Sequence, residues 1–307
     1  MDYSSLFQTI CVFLFLIGVG FVGARRKVVN AAFAKAASTL TLHVFLLASV
    51  VNSITSYTGR VSRGELGQIM LIISLSLALC YVIAWACFKL IGKRFDEAGP
   101  AELSLAVQNT LLFGLPVVQA AYGTAAVMYT GLSGVAFYVL LYTYGTWRLS
   151  VGKSGGGRFC FRDMLTPCFI GTFVALAMFL LEIPVPGVLQ KLMDTAGAVT
   201  IPLSMIVIGI TLGTEDLAAA FKDRRVYLIC LLRLVVSPAL VWLILNPFTA
   251  DPILLRTAVV LAGCPTGVIV PIVSLQYGHD PAFPSNCVVA TTLLALITVP
   301  VMLLIMG

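Results

Sequence analysis

Ten apolar stretches separated by short polar ones run the length of the chain, at about 6–24, 36–54, 67–88, 102–121, 125–146, 165–181, 197–213, 226–245, 254–276 and 284–305. Each is close to the ~20 residues that carry a helix across ~30 Å of hydrocarbon. The pattern predicts an all-α integral membrane protein with ten transmembrane helices. The fourth and ninth stretches are flawed. Asn109-Thr-Leu-Leu-Phe-Gly-Leu-Pro-Val-Val-Gln-Ala-Ala-Tyr-Gly123 holds Gly114, Pro116 and the amide of Asn109. Cys264-Pro-Thr-Gly-Val-Ile-Val-Pro-Ile-Val-Ser-Leu-Gln-Tyr-Gly278 holds Pro265, Gly267 and Pro271. Proline inside a helix removes a hydrogen bond and clashes with the preceding turn, at ~3 kcal/mol or more. Hydrocarbon offers the freed carbonyl no water, so broken backbone persists there only under protein or beside a watery cavity. Breaks are expected at Pro116 and at Pro265 or Pro271, in a crossed pair whose contact Gly263 and Gly267 would keep close.

The flaw repeats at a fixed interval. A shift of 155 places Pro116 on Pro271, Val118 on Val273, Tyr122 on Tyr277 and Gly123 on Gly278. The same shift moves 67–88 onto 222–243, so the chain reads as two five-helix halves, 1–147 and 164–307, joined by a linker at 148–163. Five is odd, so the second half must enter the membrane from the opposite face, as an inverted repeat. Interrupted segments at matching places in two such halves point to the binding site of a secondary transporter.

Composition agrees. The 307 residues are 60% hydrophobic and 10% charged, against roughly 25% charged in soluble domains. The net charge of +6 is spread over loops and forms no nucleic-acid-binding stripe. Fourteen basic residues fall in one alternate set of loops (25–35, 89–94, 148–162, 222–225) and four, Arg60, Arg63, Lys191 and Arg256, in the other. By the positive-inside rule the first set is cytoplasmic and both termini lie outside, in the cell membrane. Asp2 before the first apolar run, and Arg25-Arg26-Lys27 after it, reverse the charge order of a signal peptide. The run Gly152-Lys-Ser-Gly-Gly-Gly157 lacks the glycine that a phosphate loop needs at Trp147 and reads as flexible linker.

Three polar residues inside apolar stretches are candidates for function. Asn109 lies seven residues, two turns, before Pro116, and a neutral amide suits a carboxylate without the cost of a buried charge. Arg233, seven residues after Val226, lies roughly 10 Å into the membrane at the helical rise. A cation there draws in an anion, pairs with the carbonyls of a broken helix, or snorkels to the surface. His43 is a candidate proton-sensitive group or a packing histidine. The thirteen carboxylates, Glu102 included, fall in loops or near segment ends, so no central carboxylate relay is expected. Coupling is left to neutral ligands, His43 or the substrate's own charge. Eight cysteines without a CxxC pair, and only two histidines, argue against a disulfide framework, a zinc site or any cofactor. No HExxH, GxSxG or intramembrane aspartate pair suggests an enzyme.

The fourth stretch, an asparagine followed by Gly-x-Pro and a terminal Tyr122-Gly123, resembles the fourth-helix signature of the auxin efflux carrier family. Pro265-Thr266-Gly267 with Tyr277-Gly278 is similar to that family's ninth helix, Arg233-Leu-Val-Val-Ser-Pro238 to its eighth, and Pro202-Leu-Ser204 with Gly209 and Leu212 to its seventh. The resemblance implies two inverted five-helix repeats with crossing broken helices 4 and 9, akin to sodium/proton antiporters and bile acid carriers. It implies transport of organic anions such as auxin, malonate or malate. It places substrate contacts at Asn109 and at the backbone around Gly114–Pro116 and Pro265–Pro271, Thr266 and Gly267 included; Gln119, His43 and Arg233 complete the candidate set. The expected partners are a small organic anion, membrane lipid, a proton or sodium as coupling ion, and a second copy in a homodimer. A sodium-coupled carrier of a bile-acid-like solute and a membrane sensor that moves nothing are the alternative readings.

Overall fold

The computed structural model describes residues 3–55, 63–151, 167–181, 183 and 185–306. The glycine run at 152–157 and most of the 148–163 linker lie outside the described residues. Everything described is helix, turn or loop, apart from one isolated bridge between Gln108 and Thr266. Seven helices are long and apolar enough to cross a membrane. They are α1 (Phe7–Arg25 within a helix from Tyr3), α2 (Ala31–Thr55), α3 (Gly64–Arg94), α5 (Thr124–Ser150), α7 (Gly187–Thr214), α8 (Arg224–Phe248) and α10 (Ala282–Met306). The remaining apolar helices are shorter. They are the two pieces α4a (Ala98–Ala106) and α4b (Thr110–Tyr122), α6 (Pro167–Leu180), and the two pieces α9a (Pro252–Ala262) and α9b (Ile269–Gln276). The chain is an integral, multi-pass membrane protein.

The helices sort into two bundles by what they touch. α1, α2, α6 and α7 pack on one another, and α3, α4, α5, α8, α9 and α10 form the second group. Glycine sets the first group's closest approach: a Cβ on Gly20 or Gly209 would collide with the carbonyl oxygens of Ile206 and Ile17, so α1 and α7 meet backbone to backbone. Small residues permit this wherever lipid supplies no hydrophobic drive for association. The bundles meet where α1 and α7 touch α4b and where α2 and α6 touch α5. Between them a cavity of about 40 Å³ is lined by Phe13, Ile17, Phe113, Val117, Met205 and Val299 among others.

Two of the helices that carry internal proline, α4b and α8, meet it with a π-turn, whereas α10 stays α-helical past Pro300. Thr110–Gly114 closes into π geometry two residues before Pro116, and Leu232–Val236 does so two residues before Pro238. Proline donates no N–H, and the wider turn passes the donor's task to its neighbour: the Leu115 N–H donates to the Thr110 carbonyl. Ser237 Oγ donates to the Leu232 carbonyl at 2.9 Å in the second case. Pro116 therefore widens its helix without breaking it, contrary to expectation. Pro271 sits in the first turn of α9b, where its missing N–H has no intrahelical partner to lose.

Candidate functional site

The break in the fourth helix lies at 107–109, seven residues before Pro116. Val107-Gln108-Asn109 leaves the helix between α4a and α4b, with Val107 extended at φ −91°, ψ 119° and Asn109 turning into α4b at φ −85°, ψ 64°. The break in the ninth helix, between α9a and α9b, contains Pro265, as expected. The two unwound segments pass antiparallel and satisfy each other. The Asn109 N–H donates to the Pro265 carbonyl at 2.8 Å, and the Gly267 N–H to the Val107 carbonyl at 2.9 Å. Thr266 extends the lattice: its Oγ1 donates to the Ser104 carbonyl at 2.7 Å, and its N–H donates to Thr291 Oγ1 of α10 at 3.0 Å. Unwound backbone is thus roofed by protein on every side.

Glycine makes the crossing possible. A Cβ on Gly267 would lie 3.1 Å from Val107 Cγ1 and 3.2 Å from the Gln108 carbonyl oxygen. One on Gly114 would lie 2.8 Å from Leu261 Cδ2 and 2.9 Å from Cys264 Sγ. At the far ends, Gly123 and Gly278 turn the chain with φ of 75° and 74°. They stand 155 residues apart, the interval of the sequence repeat. The crossing itself pairs Gln108 with Thr266, an interval of 158. The difference of three residues is taken up in the first half, between the break and Gly123, where the π-turn lies.

Arg233 is fully buried beneath the crossing. Its Nε donates to the Cys264 carbonyl at 3.0 Å, and its Nη1 to the carbonyls of Leu105 and, at 3.4 Å, Ala106. Those oxygens end α4a and follow α9a, the negative ends of two half-helix dipoles. Of the three readings of Arg233, the structure takes pairing with carbonyls. At the opposite ends of the break, neither α4b nor α9b is capped by a side chain. Asn109 stands at the N-cap position of α4b and is only 6% exposed, yet its amide makes no capping bond. An asparagine there ordinarily folds back onto the first turn, worth ~1 kcal/mol.

Of the candidate residues, Asn109, Gly114, Pro265, Thr266, Gly267 and Arg233 gather at the crossing. Pro116 and the half-buried Gln119 lie farther along α4b, and Pro271 lies in α9b. His43 does not join them. It is exposed on a π-turn (Thr41–Phe45) that packs mainly on α6 and α7, with Nδ1 2.8 Å from the Thr39 carbonyl. Sequence reasoning missed Gln108, whose amide is 1% exposed with no hydrogen-bonded partner except the nearby Cys80 thiol. Two successive amides in an apolar run were the available signal. It also misplaced Glu102, which is buried inside α4a rather than held at a segment end. Arg148 Nε donates to its Oε2 at 2.7 Å and the Tyr144 hydroxyl to Oε1, so α5 holds both carboxylate oxygens.

Residues 156–303 match the family model described as "Membrane transport protein". The chain is also 33% identical over 134 residues to a protein of Rhizobium meliloti (strain 1021) named "Putative malonate transporter". That match covers 43% of this chain and 41% of the relative, so less than half of either protein is compared. The second half of the chain is thus similar to membrane transport proteins, and the fourth stretch in the first half resembles the auxin efflux carrier signature.

Proposed function

We propose that the chain is a secondary transporter of a small organic anion, carried as a carboxylate at the crossing of the fourth and ninth helices. One observation bears most of the weight: Arg233 binds the carbonyl ends of the half-helices, while the N-terminal ends of α4b and α9b stay uncapped. In a bare crossing, two positive and two negative dipole ends would roughly cancel, each near half a charge. A buried guanidinium on the negative side leaves the crossing net positive. Uncapped N–H groups and the Asn109 amide then offer donors to a carboxylate. Gly114 and Gly267 keep the stubs close; Pro116 shapes α4b just beyond its opening π-turn, Pro271 the first turn of α9b, and Thr266 fixes the second break. Gln119 lies farther along α4b and is half-buried.

In this reading α4, α6 and α9 complete ten membrane crossings in two inverted five-helix repeats, 1–147 and 164–307, with both termini outside. The shared left-handed glycines at an interval of 155 support the repeat. The two-bundle packing supports alternating access, in which the bundle holding the crossing moves against the one built on α1 and α7. The 40 Å³ cavity between them has room for little more than a water or two, as in a closed state. The name of the Rhizobium relative favours a malonate-like dicarboxylate. Thermal-shift measurements of the purified protein against mono- and dicarboxylates test the assignment, since a ligand of the folded state raises its stability by mass action. A rise in Tm with dicarboxylate concentration supports it, and no rise with any carboxylate contradicts it.

A further inference from the structure

On the outer face of the second bundle, α8, α9a and α10 leave between them a cleft of about 670 Å³. That is within the roughly 300–1,000 Å³ typical of small-molecule sites, and it is far larger than the cavity between the bundles. Its lining is graded. One end is formed by the last turn of α8 and the first turns of α9a, where Asn246 and Arg256 stand. The rest is apolar, through Trp242, Val259 and Met302. Its floor reaches the second break, since Met302 Cε lies 2.9 Å from where a Cβ on Gly263 would stand. Two polar groups in the lining are unsatisfied. Among the described residues Arg256 has no hydrogen bond or ion pair, and the buried Thr298 Oγ1 has no partner.

We propose that this cleft binds one anionic phospholipid, its phosphate on Arg256 and an acyl chain along α8 and α10. Charge selects the headgroup: a lone guanidinium at the polar end favours a lipid with net negative charge over a zwitterionic one. Shape selects a chain-bearing ligand, because a compact soluble anion would meet Arg256 and leave the apolar length unfilled. The half-exposed Trp242 lies beside Asn246 at the level where aromatic side chains mark the membrane interface. The proposal concerns lipid binding alone and stands or falls independently of which solute crosses the membrane.

The test is native mass spectrometry of the delipidated, detergent-purified protein, titrated with phosphatidylglycerol and phosphatidylcholine of identical chains. Inorganic phosphate and malonate serve as competitors. The expected result is one phosphatidylglycerol bound at least tenfold more tightly than phosphatidylcholine. Arg256→Gln should remove that preference, and Ala239→Phe, which fills the cleft from α8, should weaken both lipids. Arg256 makes no bond within the described fold, so Arg256→Gln should keep the parent Tm. Equal affinity for the two lipids, an undiminished preference in Arg256→Gln, or displacement of lipid by phosphate or malonate at comparable concentration would each overturn the proposal.

Discussion

The amide nitrogen of Asn109 donates to the carbonyl of Pro265 across 2.8 Å, so the fourth helix is pinned to the ninth at the point where both are broken. The bond uses the backbone of Asn109 and leaves its side chain uncommitted. Position and chemistry are therefore separable in this residue. Substitution of the side chain need not disturb the crossing.

Arg233 joins the two breaks from below. Arg233→Met would strip the donor from the carbonyls of Leu105, Ala106 and Cys264. An unsatisfied buried carbonyl costs about 1–3 kcal/mol, so thermal unfolding in detergent should show a loss of roughly 3 kcal/mol or more. Arg233→Lys keeps the charge but has no planar fork to span both helix ends, and should fall between. Parent-like stability in Arg233→Met would remove the arginine from its bridging role.

Two glycines should fail for different reasons. Gly114→Ala adds a methyl within 3 Å of Leu261 and Cys264 side chains, an overpacking that costs typically 1–3 kcal/mol. Gly123→Ala meets no neighbour but holds φ 75°, ψ −155°, a region nearly exclusive to glycine and costly by about 1–3 kcal/mol for other residues. Truncating Leu261 to Ala should rescue the first variant and leave the second unchanged. Rescue of neither, in paired Tm measurements, would refute the packing account of Gly114.

Pro116→Ala restores the N–H that the π-turn at 110–114 does without. The helix can then close in α geometry, turning Asn109 by about one residue, or 100°, relative to α4b. Stability should change little while transport falls several-fold. Transport at the parental rate would show that the π-turn does not orient Asn109.

At the cytoplasmic junction of the proposed topology, burial raises the Asp223 carboxyl, but hydrogen bonds and charge from Arg225 outweigh it and hold the group below its usual 3.8. Arg225 also reaches Asp96 at 2.9 Å. A carboxyl depressed in the folded state contributes stability above its unfolded value and loses it as pH falls through the folded one. The Tm gap between parent and Asp223→Asn should be full near neutral pH and close below about pH 4. A gap that widens on acidification would reverse the assignment.

Much of this was legible from pattern. The apolar lengths located the helices, and Gly123 and Gly278 kept their interval because each turn needs a residue without a Cβ. Pro265 marked the second break. The first break was hidden because Val107, Gln108 and Asn109 include no helix breaker; what holds them out of the helix is hydrogen bonding to residues 156 and 160 positions away. Pro116, the apparent fault, is absorbed by a local change of turn. The buried state of Glu102 was hidden for a similar reason, since its partners Tyr144 and Arg148 come from a different helix.

The central claim is that the uncapped crossing binds the transported anion through Asn109. Its most direct test is uptake of radiolabelled malonate into proteoliposomes by the parent protein and by Asn109→Ala, with Tm measured on both. The account predicts saturable uptake by the parent and at least a tenfold lower kcat/KM in the variant at equal Tm. Saturable uptake at parental efficiency by Asn109→Ala would contradict it.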